Sequence, residues 1–544
     1  MLIKDWILCL ICVAAMVFLF CSCEWKAAKY SNKWRILFLL PAITCILHFI
    51  LLGEEWCLLG IYLGGWIAGI GFFTVKASVR RRSLVTAMVL CCLSVPVCYC
   101  SDSYRKPNYV ADFEQGFECM QEHYSLTEYK EVNWEGLYEE YLPLFEKAEK
   151  EHDEVANCIA WNAFCNEFYD AHTGYAPNGD VEAMTQSVCE RVMGNDYGLA
   201  TICLTSGEYV AVLIEENSPA YKAGIRTGTV ITEWNGKTPE EWQELCSKRM
   251  EQCMICGNRE NQRFYEGCFL GGIGDEQVTV AYINEMGEEE TVTLDAVGNY
   301  YERFEKMACL LTYKEPKANL SVVELDKDTV LLNVNMMQFD SESMNSSDYS
   351  SVQATIREQL IPYREQGVTN LIIDLRNNGG GSTKMAQAIV SLVAEGEHFW
   401  AADGAYQEAT GEYEVLNSYT YTGENLWQDG EIVVLVNSGS NSAANHCMSA
   451  LQQLEHVTVI GLSEPAGAAQ GVVGERLEGG WLNFSGTLVL DEAGDIWIDS
   501  DATGEPRLLV DERVPLDERA IKEIFENGED YVLNYALEYL EQTK

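Results

Sequence analysis

The chain has 544 residues, too many for one hydrophobic core, so several domains are expected. Hydrophobic residues make up 48% and charged residues 22%, which excludes a disordered or fibrous polypeptide. The formal net charge is −46, and the acidic excess lies beyond residue 100. Such a surface repels phosphate backbones and excludes nucleic acid as a partner.

Four apolar stretches open the chain, at about 6–23, 36–53, 56–75 and 84–100. Each is long enough to cross a hydrocarbon core as a helix, so hydropathy predicts four transmembrane helices over residues 1–100, with a lipid bilayer as partner. Lys26, Lys29, Lys33 and Arg35 mark the first loop as cytoplasmic, and Lys76, Arg80, Arg81 and Arg82 mark the third; Glu54 and Glu55 occupy the second. The expected location is a multi-pass cell-membrane protein with its large domain on the extracytoplasmic side. Pro96 interrupts the fourth stretch, and failure of that span to insert would reverse the side.

Residues 101–193 read as helical. Phe113, Phe117 and Met120 recur at helical spacing, as do Trp134, Leu137 and Tyr141, and 155–168 is amphipathic. This part ends in Asp170-Ala171-His172-Thr173-Gly174. Residues 194–297 change to short strand-like runs at 199–204, 210–215, 230–234, 278–283 and 290–294, punctuated by turns such as Asn235-Gly236. A Cys- and Gly-containing insertion, about 246–276, interrupts them. Its Cys246, Cys253, Cys256 and Cys268 lack the second pair or the histidines of a zinc site, so no metal is expected. A disulfide and unpaired buried thiols both remain open for them.

From about 318 strands alternate with helices: 330–334, 350–366, 370–375, 383–393, 432–436, 443–454 and 457–460. That alternation predicts an α/β core with parallel strands. The stretch 394–430 shows little regular pattern and reads as a long connection of the lid or insertion type.

In such a core, chemistry gathers where strands run into helices. Two turns qualify. Asn377-Asn378-Gly379-Gly380-Gly381 can aim main-chain N–H groups at one point, or it is simply a tight turn. Ser438-Gly439-Ser440-Asn441-Ser442-Ala443-Ala444 can expose a nucleophilic serine, or merely cap a helix, with Ser440 the better cap.

The run from Asn370 through Asp374, Arg376 and the three glycines closely resembles the signature of the C-terminal-processing (tail-specific) serine peptidases. The segment 434–437 followed by Ser440 to Ala444 resembles their nucleophile turn. Asn217-Ser218-Pro219-Ala220, Gly224, Gly228 and Asn235-Gly236 resemble the PDZ domain those peptidases carry. The resemblance covers about 104–525. It implies an α/β peptidase core over 298–544, a PDZ-like β domain over 194–297 and a helical N-terminal part over 101–193. Ser442 is then the nucleophile, Ala443 with Gly380 or Gly381 the oxyanion donors, and Gly198 and Leu199 the peptide-binding positions.

Many members use a Ser/Lys dyad, but 461–471 contains no lysine. This resembles the tricorn-like branch, in which the histidine of an Asp-x-His-Thr motif is the base; His172 matches. His446, one turn after Ser442, is the rival, and His398 falls in the 394–430 connection. The family's acid precedes a motif degraded here to Arg513-Val514-Pro515-Leu516-Asp517, which makes Asp511 or Glu512 the residue expected to orient the imidazole. Asn445 stands where relatives often carry a glutamate. The implied function is a membrane-anchored, cofactor-free serine endopeptidase acting on peptides or unfolded proteins, assisted by its PDZ-like domain. The alternative is an inactive peptide-binding or sensory protein, motivated by the missing lysine, Asn445 and the worn motif.

Overall fold

The computed structural model describes residues 108–313, 318–338, 350–427 and 430–542. Helix α1 (Tyr109–His123) is followed by α2 (Trp134–Glu151) and α3 (Glu154–Asn166). Asn133 and Asp153 start the latter two, their side chains accepting the N–H of Gly136 and of Ala156. The facing apolar stripes are aromatic. Phe113 stacks on Phe145 at 4.3 Å between centroids and meets Trp161 and Phe164 edge-on. This cluster packs on Leu482, Phe484, Leu488 and Leu490. The turn after α3, which carries His172, leads into β1 (Gly174–Pro177) and then α4 (Val181–Met193).

A β module follows. Its strands are β2 (Asn195–Asp196), β3 (Ala200–Cys203), β4 (Tyr209–Val212), β5 (Ile231–Trp234), β6 (Gln277–Ile283), β7 (Glu289–Asp295) and β8 (Gly298–Asn299), with the short helix α5 (Pro219–Lys222) between β4 and β5. Strands β3–β4 and β5–β6–β7 are antiparallel, and Val210 bridges to Val230. The insertion folds as α6 (Gln243–Cys253), α7 (Arg259–Glu266) and a 3₁₀ turn (Gly267–Gly272). Its four cysteines are free thiols buried in the apolar core, so the unpaired alternative holds. Helix α8 (Tyr301–Leu311) leaves the module.

The core sheet has six strands: β9 (Leu320–Glu324), β10 (Thr329–Val334), β11 (Asn370–Asp374), β14 (Ile432–Val436), β15 (Val457–Gly461) and β18 (Glu512–Arg513). They lie in that spatial order, and all but β9 run parallel. Alternate residues face opposite ways. Val330, Leu332, Ile373, Val434 and Val436 pack with α9 (Ser350–Glu365), α10 (Thr383–Val393) and α11 (Ala443–Gln452). Leu331, Ile372, Val433 and Leu435 pack with α13 (Tyr531–Gln542) and the β module. Burial on both faces explains why these strands read as continuous apolar runs. Between β18 and α13 lies the short helix α12 (Glu518–Ile521), capped by Asp517.

A second sheet carries β1, β12 (Glu395–Gln407), β13 (Glu412–Glu424), β16 (Gly471–Arg476) and β17 (Gly480–Leu490). Strands β12 and β13 correct the irregular connection expected over 394–430, since each contributes 13 residues to one antiparallel hairpin. Register shifts at Phe399/Ala401 and Asp403/Gly404 break the alternation that would have marked them as strands.

The four transmembrane helices require a further correction, and with them the lipid partner and the multi-pass extracytoplasmic location. Among the described residues no helix is long and apolar enough to cross a membrane. The four stretches themselves fall within 1–107, outside the described residues. Hydropathy reads composition alone, whereas a span also requires a continuous helix about 20 residues long. The supported fold class is an α/β core with an N-terminal helical part and a β module.

Arg376, at the end of β11, ties α13 to the sheet. It bonds Asp374 through Nε and Nη2 at 2.9 and 2.8 Å, and Asp530 through Nη1 and Nη2 at 2.6 and 2.8 Å; Arg376 and Asp374 are buried and Asp530 is half-buried. Removing Asp530 leaves Asp374 to balance the guanidinium charge but takes the acceptor from Nη1 and one of those from Nη2. Asp530→Ala is therefore expected to cost about 1–3 kcal/mol, read from the urea unfolding midpoint.

Candidate active site

Ser442 ends the loop from β14 to α11 and occupies the N-cap position of α11. Its φ is +54° and its side chain makes no capping bond, which leaves the hydroxyl uncommitted. A non-glycine residue holds that conformation at a cost of order 1–3 kcal/mol, and such strain gathers at functional sites. Ser440, the other candidate, is fully buried; its hydroxyl donates to Leu375 O at 2.8 Å and accepts from Asn437 N at 3.0 Å. It builds the loop.

The glycine turn after β11 lies directly against this serine. A Cβ on Gly380 would come within 2.5 Å of Ser442 Cβ and 3.0 Å of Ala443 N, and the φ of Gly380 is +94°. The N–H of Ala443 opens α11 and has no acceptor in the helix. The N–H of Gly380 already donates to Asn378 Oδ1 at 2.9 Å. Of the two expected glycine donors, Gly381 is thus the one whose N–H meets no acceptor among the described residues.

His172 lies in a turn shaped by its own motif. Asp170 is buried; its Oδ1 accepts from His172 N at 2.9 Å and its Oδ2 from the Thr173 hydroxyl at 3.0 Å. The Asp-x-His-Thr pattern is therefore a folding instruction for the turn. The imidazole is buried and neither ring nitrogen has a hydrogen-bond partner. Burial pushes its pKa below the ordinary value, while Asp170 and the main chain of Gln470 pull it up. A neutral, uncommitted imidazole can accept a proton. Asn441 Nδ2 donates to Ala171 O at 3.3 Å, so the residues preceding Ser442 and His172 touch.

Sequence reasoning missed Asp499. It is buried, and its Oδ2 accepts from Ala469 N at 3.1 Å and Gln470 Nε2 at 2.7 Å; Oδ1 has no partner. Burial raises its pKa, as does Asp170, while nearby Lys130 opposes the shift. No motif surrounds it, so only the fold reveals it. The expected acids are committed elsewhere. Asp511 accepts from Gln452 Nε2 and Val459 N, and Glu512 from the Tyr535 hydroxyl.

The rival histidines sit in other surroundings. His446 is buried against Trp400 and Trp497; its Nε2 pairs with Ala469 O at 3.0 Å, its Nδ1 has no partner among the described residues, and burial pushes its pKa down to about 4. His398 stacks on Tyr421 and bonds Glu395 O. Gly198 and Leu199 belong to the β module. The Gly198 N–H, expected to meet a peptide, donates to Asp196 Oδ1 at 2.8 Å, and Leu199 is fully buried. Among the described residues no cluster of side chains could hold a metal ion.

The strained serine, the main-chain donors and the buried imidazole thus lie on neighbouring loops of an α/β scaffold. Residues 332–488 match the model of peptidase family S41 and residues 106–155 that of the tricorn protease C1 domain. The chain carries both domains and is a relative of the C-terminal-processing serine peptidases. A probable CtpA-like serine protease of Staphylococcus saprophyticus is 21% identical over 280 residues, covering 51% of this chain and 46% of the relative. A carboxyl-terminal-processing protease of Picosynechococcus sp. is 26% identical over 159 residues, covering 28% and 36%. The chain thus spans less than half the length of these relatives. Mature CPAF complexed with lactacystin aligns at 12% identity and a TM-score of 0.48, covering 80% of this chain and 97% of that one.

Asn445 uses both ends of its amide. Nδ2 donates to Ser440 O at 2.8 Å, and Oδ1 accepts from Gly467 N at 3.0 Å and Ala468 N at 3.1 Å. A carboxylate keeps the acceptor and loses the donor. Asn445→Asp is expected to lower stability by about 1–3 kcal/mol, measured by thermal unfolding near neutral pH.

Proposed function

We propose that this chain is a serine endopeptidase that cleaves peptides or unfolded proteins without a cofactor, using Ser442 and His172 in place of a Ser/Lys dyad. The reading rests on the contact of Asn441 with Ala171, which joins the two loops across 270 positions of sequence. Ser442 Oγ attacks the scissile carbonyl carbon. His172 takes the hydroxyl proton and later passes it to the leaving amine. The N–H groups of Ala443 and Gly381 receive the oxyanion; losing one such donor costs about 2.7–4 kcal/mol of barrier. Asp170, which raises the His172 pKa, and Asp499, which holds the Ala469–Gln470 segment whose main chain faces that imidazole, supply the buried negative charge that favours the imidazolium, in place of Asp511 or Glu512. Asn445 is part of the loop scaffold here, so its lack of charge does not argue for an inactive relative.

The test is the purified full-length chain on an unfolded protein substrate beside Ser442→Ala and His172→Ala. Each variant is expected to lower kcat by on the order of 10⁴–10⁶-fold, with a serine-reactive phosphonate labelling only chains that retain Ser442. Equal cleavage by all three chains removes both residues from the mechanism. Absent cleavage and labelling in the unmodified chain favours the peptide-binding alternative.

The base must be neutral to act, and burial holds His172 below the usual imidazole value. Activity is therefore retained above the folded-state pKa and lost as pH falls through it. The acid limb of kcat/KM is expected to have its midpoint below about 6.5. A midpoint above that value assigns the limb to another group.

A further inference from the structure

Strand β3 is the outer strand of its module. It pairs with β4 on one side, while Thr201 N points to the other. An edge of this kind offers N–H and C=O groups to an added peptide strand. Here it is covered by the chain itself. Thr201 N donates to the Tyr300 hydroxyl at 3.4 Å, and that hydroxyl donates to Cys268 O at 2.8 Å. The Thr201 hydroxyl donates to Gly267 O at 3.0 Å and accepts from Gly271 N at 2.9 Å. Gly267 lies so close that a Cβ there would stand 2.8 Å from both Cys203 N and Cys203 Cβ. The two outward main-chain positions of β3 are thus both closed by the turn that ends the insertion and by Tyr300.

The same insertion reaches the active-site loops from its other end. Asn258 is fully buried; Nδ2 donates to Pro465 O at 2.9 Å and Ala466 O at 3.2 Å, and Oδ1 caps α7 through Asn261 N. Asn261 Nδ2 donates to Pro465 O at 3.0 Å. The Tyr265 hydroxyl pairs with Ser438 Oγ at 2.8 Å. Ala466 N in turn donates to Ser440 O, and Ser438 N to Ser463 Oγ. Gly257 packs against Ala466 O and Ala171, with no room for a Cβ.

We propose that residues 256–272 are a built-in occupant of the β3 edge, and that Asn258, Asn261 and Tyr265 within them are positioning residues for the Ser442 loop. This rests on Ser442 being the nucleophile. Helix α7 spans the distance between the two contacts, so the seating of Gly267–Gly272 on β3 determines where Tyr265 and Asn261 meet the loops. Substrate is then held elsewhere than on β3, and the module serves catalysis by fixing the loop geometry.

The experiment uses the full-length chain, Tyr265→Phe, which removes one hydroxyl at constant shape, and Gly267→Ala, which pushes the turn off Cys203. Hydrogen exchange is followed at 437–441, 463–468 and 200–203. Both variants are expected to exchange about three- to tenfold faster at 437–441, the effect of losing one hydrogen bond, and only Gly267→Ala faster at 200–203. With turnover as the second readout, kcat falls by a similar factor at unchanged KM. Unchanged exchange at 437–441 in either variant overturns the proposal, as does a photoreactive extended peptide cross-linking to 200–203 of the unmodified chain. The exchange readout needs no catalysis. An unmodified chain that neither cleaves peptide nor reacts with the phosphonate therefore sinks the peptidase reading, while loop positioning is still decided.

Discussion

Side-chain amides that substitute for missing main-chain partners hold the Ser442 centre together. Three loops meet there without forming sheet or helix, so their N–H and C=O groups need partners from side chains. Asn437 Oδ1 accepts from Asn377 N and Gly439 N, joining the glycine turn to the serine loop. Asn378 spans from Val334 O to Gly380 N. Asn445 fastens the 467–468 segment to Ser440, and Asn441 reaches Ala171. An amide donates and accepts at once, which neither a carboxylate nor a hydrocarbon can do while staying neutral in a buried site. Ser442 itself donates its N–H to Asn441 Oδ1, so its positive-φ backbone is anchored to one of these amides.

Behind His172 lies a second layer in which charge is buried. Lys130 Nζ donates to Tyr169 O and to the Ser500 hydroxyl, and its ammonium pKa is lowered by burial against the pull of Asp499 and Asp170. Asp170 folds the histidine turn and Asp499 anchors the segment across from it. The aromatic packing of α1 to α3 brings this layer to the core: α3 ends just before the turn, and β1 just after it pairs with β17 through Gly174 and Asn483. A histidine far from the serine in sequence is thereby held between two fixed elements.

Motif residues were legible because they serve local geometry. Asp170, His172 and Thr173 fold their own turn, and Gly380 is needed where a Cβ would strike Ser442. The core strands were legible from their apolar runs. The β12–β13 hairpin was not, since its bulges scramble alternation and most of β13 is exposed. Asp511 and Glu512 were proposed from distance to a degraded motif, and counting along the chain carries no information about direction. Asp499 has no local signature because its partners, Ala469 and Gln470, come from another strand connection.

By itself the sequence determined the acidic character, the α/β alternation, the family resemblance and the identity of the serine and histidine candidates, all of which follow from composition, periodicity or short-range turn chemistry. Only the tertiary structure decided which serine hydroxyl is uncommitted, which acid is buried near the histidine turn, and that the insertion covers β3 while touching the Ser442 loop. These depend on contacts between segments tens to hundreds of residues apart, where the partner of a polar group is set by packing and not by its neighbours in the chain.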